Sequence, residues 1–161
     1  MKRLINIIFL MIFLSIFFIG KSMAQKRDIP VSELPLDVKL LVEDYFKILK
    51  TGTLDDAEVR FSQLAGGDLI DEDGSTLRED VKPVALKRDR NNLKFYSLPL
   101  NITKVTVYEN KSSGLGIGAI KGDLFKVYIA RKEGKPSYLS VIVPKNHPTI
   151  TSPKIVEIGN L

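Results

Sequence analysis

The chain has 161 residues, an apolar fraction of 44% and a formal charge of +5, which is room for one domain with a real core. It contains no cysteine, and this excludes disulfides, a thiolate-bound zinc, a thiol nucleophile and a lipid carried on an N-terminal cysteine. No segment carries a specific catalytic, metal or nucleotide signature.

Residues 1–24 begin with Lys2 and Arg3, continue through the apolar run Leu4 to Gly20 and close with Ser22-Met23-Ala24. That order of charge, apolar run and small residues predicts a signal peptide cleaved after Ala24 and an exported protein, in the periplasm, the envelope or outside the cell. The apolar run is at the short limit for spanning a bilayer, so membrane contact is expected only through this segment before it is cut. Cleavage removes the three charges of Lys2, Arg3 and Lys21, so +5 falls to +2. A balance that close to neutral does not call for a nucleic-acid partner.

Residues 25–35 are polar with prolines at 30 and 35, and read as a linker leading into a single domain over 36–161. From Leu36 to Thr51, Val38, Leu41, Val42, Tyr45, Ile48 and Leu49 recur at helical spacing, with Asp37 at the start and Lys47, Lys50 and Gly52 at the end. Thr53 caps a second helix with acids in its first turn and Leu54, Ala57, Phe61, Leu64 and Ala65 as its apolar stripe. Asp71-Glu72-Asp73-Gly74 lacks calcium-loop spacing, because its glycine comes too early and Lys82 stands where a closing glutamate is needed, so it reads as a solvated acidic turn. Lys82, Lys87, Arg88, Arg90 and Lys94 read as the solvated face of a helix near Pro83.

Strand character begins at Ile102 to Glu109, followed by a turn at Asn110 to Gly114. Gly114, Gly116 and Gly118 alternate with apolar residues, which predicts a strand with one bare face that another element can approach closely. The glycines do not make a dinucleotide site, since no helix opens after them. Lys121-Gly122-Asp123 reads as a bulge or a tight turn. Leu124 to Pro144 is the clearest β signal, a hairpin whose turn is Lys132-Glu133-Gly134-Lys135. Pairing Ile129 with Tyr138 would put Tyr128, Leu139 and Val141 on one face and Ile129, Ser140 and Ile142 on the other. Lys154 to Ile158 gives the last strand.

Helices first and strands last predict an α+β domain with N-terminal helices on one face of an antiparallel sheet. This order, with the long hairpin and the terminal PKIVEIGNL stretch, resembles the nuclear transport factor 2-like superfamily, a cone of helices over a strongly curved sheet. The resemblance covers nearly all of 36–161 and implies a cavity between sheet and helices, used by some members for catalysis and by others for binding or dimerisation.

Tyr45, Phe61, Tyr128 and Tyr138 are the candidate pocket residues for a small apolar ligand, and Asp123 and His147 the candidate polar groups. No residue stands out as catalytic, and no metal or cofactor is expected. Three functions stay open: a non-catalytic module binding a small apolar ligand, an envelope protein that forms a homodimer or docks through the outer sheet face, and a lyase or isomerase acting on a small hydrophobic substrate in the cone.

Overall fold

Helix α1, Leu36–Lys50, forms where the apolar spacing requires it, and its buried face is Val38, Val42, Tyr45, Phe46, Ile48 and Leu49. In this computed structural model residues 25–161 are described, and the segment read as a signal peptide lies outside them. Gly52 takes φ +71° just past the helix end, the left-handed geometry a glycine supplies without strain. Helix α2, Leu54–Ser62, starts on a capping box in which Thr53 Oγ1 accepts from Asp56 N at 3.1 Å and Asp56 Oδ2 accepts from Thr53 N at 2.8 Å. Pro83 has no N–H to give, and the chain around it widens into a π-turn over Val81–Leu86 that runs directly into helix α3, Lys87–Asn92.

Two residues of the basic run, Lys82 and Arg90, are engaged rather than only solvated. Lys82 Nζ sits 2.8 Å from both Asp55 and Glu58 of α2, and those bonds hold its ammonium well above its ordinary pKa. Arg90 donates to the carbonyls of Thr53, at 2.9 Å, and Gly52, tying α3 to the α1–α2 turn.

The sheet has five antiparallel strands in sequence order: β1 Lys26–Ile29, β2 Ile102–Ser113, β3 Ile120–Ile129, β4 Ser137–Pro144 and β5 Lys154–Glu157. With the helices this makes an α+β domain, and the β3–β4 hairpin lies at the sheet's centre. Residues 26–29, expected to belong to a linker, instead form the edge strand β1, pairing with Val105–Tyr108. One apolar residue in four left no local pattern to read, and its charged Lys26, Arg27 and Asp28 suit an exposed sheet edge. At the opposite edge the chain after α2 docks on β5, with Ile155 N donating to Leu64 O and Gly66 N to Ile155 O, both at 2.9 Å.

Three strand expectations are corrected. The turn placed at 110–114 is a bulge inside β2, with Asn110 at φ +53° and Glu109 and Asn110 together opposite Asp123. The glycine strand is a 3-10 turn, Gly116–Gly118, and the close approach its glycines permit is made by the acidic turn: Ile117 N donates to Glu72 O at 3.0 Å, and a Cβ on Gly116 would lie 2.5 Å from that oxygen. The hairpin connection spans residues 130–136, so Tyr128 pairs with Tyr138 and Ile129 with Ser137. Pro136 cannot donate to a ladder, while Ala130 N and Lys132 N are taken by Asn101 O and Phe95 O at 2.8 Å each. That one-residue shift exchanges the faces of β4, placing Leu139 and Val141 with Ile129 and placing Ser140 and Ile142 with Tyr128.

The main core lies between the helices and the inner sheet face, where Val105, Val127, Ile129, Leu139, Val141 and Ile155 are fully buried. A smaller cluster on the outer face, Ile120, Ile142 and Val156 with Leu124 and Ile150, is closed by the loop before β5. Among the described residues no helix is long and apolar enough to cross a membrane.

Candidate interaction surface

The sheet separates the four candidate pocket residues. Tyr45 and Phe61 are wholly buried on the helix side, their ring centroids 5.1 Å apart. The Tyr45 hydroxyl donates to Asp89 Oδ2 at 2.7 Å, and burial with the neighbouring Asp89 carboxylate pushes the phenol well above its ordinary pKa. Phe46 and Leu86, each at most 1% exposed, fill the same layer, so core side chains occupy the place where the family resemblance implies a cavity.

Tyr128 and Tyr138 face outward, paired across β3 and β4 with centroids 5.5 Å apart. Strand alternation builds the rest of this face in three rows. Lys104, Tyr128 and Tyr138 make the first. Asp28, Thr106, Lys126, Ser140 and Glu157 make the second. The third holds Lys26, Tyr108, Leu124 and Ile142.

The groups in these rows hold one another. Lys126 Nζ lies 3.8 Å from the centre of the Tyr138 ring and 3.8 Å from Glu157 Oε2. Partial burial pulls the Lys126 ammonium down, but the Glu157 carboxylate and the Tyr138 hydroxyl outweigh it and leave its pKa raised. Glu157 accepts from Ser140 Oγ at 2.6 Å and from the Tyr138 hydroxyl at 3.0 Å. Across the sheet Asp28 accepts from Thr106 Oγ1 at 2.6 Å and pairs with Lys104 at 2.9 Å, and these bonds lower its pKa. Lys26 and Lys111 stand 5.9 and 5.7 Å from the Tyr108 ring. The three rings are half-buried, fixed by their neighbours and still open to an approaching surface.

The two polar candidates lie at the bulged end and have local duties. Asp123 Oδ1 accepts from Asn110 N at 3.2 Å and from Lys145 Nζ at 2.7 Å, pinning the bulge. His147 Nδ1 accepts from Thr149 N and Ile150 N at 3.2 and 2.9 Å, closing the loop over the outer cluster. Neither comes together with the four candidate pocket residues.

Lys104, Thr106, Lys126 and Glu157 were not singled out from sequence, although the period of two in Lys104-Thr106-Tyr108 and Lys126-Tyr128 places each set on one face. Asp89 was also missed, because nothing in KRDRNN marks one acid as buried. No family model, no curated protein and no solved structure matches this chain.

Proposed function

We propose that this chain is an exported, non-catalytic interaction domain that forms a homodimer through the outer face of its sheet. Its fold reads as a nuclear transport factor 2-like cone with a strongly curved sheet. Helices that precede four of the five strands and cover the sheet on one face support that fold reading, as do the shifts in β2 and at β4–β5, since bulges bend strands.

The observation that carries the functional reading is the row structure of the outer face. Three tyrosines, the residue type enriched at protein interfaces, stand among lysines and carboxylates of the same rows. Lys104 and Lys126 are balanced by Asp28 and Glu157 within the same copy, so a second copy can approach these rows without repulsion between the four charges. The filled interior favours this reading over the two that need a ligand or substrate inside the cone.

Sedimentation velocity tests it. The chain is expected to sediment as a dimer at micromolar concentration, and Tyr128→Glu with Tyr138→Glu to convert it to a monomer. Leu40→Glu, on the exposed helix side, should leave it dimeric. A monomer at every concentration, or a dimer broken only by Leu40→Glu, would overturn the proposal.

A further inference from the structure

An open cleft of about 460 Å³ lies at the far end of the molecule from Asp123 and His147, between the end of α1, the segment 93–98 and the β3–β4 loop. Leu93 and Leu98 give it an apolar wall, Leu98 being 53% exposed, and the buried Phe46 and Tyr96 lie behind them. Its charged lining is of one sign: Lys50 from α1, Lys94 from the segment, Lys132 from the loop, and no carboxylate. Among the described residues no acid lies within 4.0 Å of any of these three ammonium groups, whereas lysines elsewhere, such as Lys82, Lys104 and Lys145, are paired.

Two hydrogen bonds hold the loop that carries Lys132 against the segment that carries Lys94. Lys132 N donates to Phe95 O at 2.8 Å and Lys132 Nζ to Lys94 O at 2.9 Å, fastening the hairpin loop onto the segment. Next to Lys132 in the chain, Arg131 does not line the cleft. Its guanidinium stacks on Phe95 at 4.8 Å, and its Nε is buried with no hydrogen-bond partner. Tyr96, whose hydroxyl bonds to that of Ser137, and Phe46 stack edge to face with centroids 5.3 Å apart, so the buried backing of the cleft is rigid.

Unneutralised cations held around an apolar wall keep a positive field that a bound anion would relieve. The wall in turn rewards an apolar body attached to that anion, and the volume is of the order used for small ligands, roughly 300 to 1,000 Å³. We infer that this cleft binds a free amphiphilic anion, its carboxylate or phosphate head between Lys50, Lys94 and Lys132 and its apolar body against Leu93 and Leu98. The site is distinct from the outer sheet face and does not depend on dimerisation.

Calorimetric titration of the full chain with monomeric decanoate, decan-1-ol, inorganic phosphate and phosphatidylglycerol vesicles tests it. One decanoate per chain is expected, with decanol and phosphate each at least about tenfold weaker. The variant carrying Lys50→Gln, Lys94→Gln and Lys132→Gln should lose decanoate by about tenfold or more while keeping its circular dichroism spectrum and its sedimentation unchanged. Leu98→Ser should weaken decanoate and leave phosphate as it was. Decanol binding as well as decanoate, phosphate binding as well as decanoate, or the triple variant binding normally would each overturn the inference. So would vesicle binding lost in the triple variant without any binding of free decanoate, which would assign the lysines to a membrane surface.

Discussion

Asp89 is fully buried on α3 and accepts from the Tyr45 hydroxyl, from Gly159 N at 2.8 Å and from Leu161 N at 3.2 Å. Asn92 Nδ2 takes the Leu161 carbonyl at 2.7 Å, so two side chains of one short helix fasten the chain end to the core. Removing a hydroxyl that satisfies a buried carboxylate leaves that acid short of a donor, and Tyr45→Phe is expected to cost about 1 to 3 kcal/mol in chemical denaturation. Burial raises the Asp89 pKa above its ordinary value against the opposing pull of these hydrogen bonds. The folded state then holds the proton more tightly than the unfolded chain, so this contribution is full below the ordinary carboxylate range and is lost as pH rises through the raised value. Asp89→Asn lacks that titration and leaves one of the backbone N–H groups without an acceptor. Its cost should therefore be larger at pH 4 than at pH 8, and denaturation at the two values showing the reverse would refute this account of Asp89.

At the scale of elements, two glycines with the same backbone angle separate strain from crowding. Gly114 and Gly134 both sit at φ +85°. A Cβ on Gly114 would lie 2.8 Å from the Gly67 backbone, and one on Gly134 meets nothing within 4 Å. Gly134→Ala should cost about 1 to 2 kcal/mol, the left-handed penalty alone. Gly114→Ala should cost distinctly more, because it also parts the junction where Asp68 accepts from Ser113 Oγ at 2.6 Å and Gly114 N at 2.9 Å. Equal midpoint shifts in denaturant would contradict the packing described.

Local chemistry made α1 and α2 legible, since spacing, dipole charges and the Thr53 cap all agree within each segment. The hairpin was legible as a hairpin, but its register was not. It depends on Asn101 and Phe95 carbonyls remote in sequence, and the seven-residue connection turned Leu139 and Val141 inward. The glycine cluster signalled close approach but not the partner, which is the 71–74 turn. Tyr45 and Phe61 were marked as apolar and are indeed deep, yet no spacing rule could say that the space around them is full. The outer-face acids Asp28 and Glu157 sit on the two edge strands and join the array only through pairing across the sheet.

For the whole molecule, export and self-association are separable expectations. Intact mass of the chain recovered outside the cytoplasm should correspond to a start at Gln25, and a retained Met1 would contradict cleavage. The dimer claim is tested most directly by distance measurement, which the absence of cysteine makes straightforward because one introduced thiol labels one site. Spin labels on Lys111→Cys at the outer-face edge and, separately, on Lys39→Cys of α1 report opposite sides of the domain. Two sheets meeting face to face stand about 10 Å apart. Pulsed electron resonance should then show a short distance between copies for the Lys111→Cys label and a much longer one for Lys39→Cys. The reverse order, or no intermolecular distance for either label, would contradict the proposed interface.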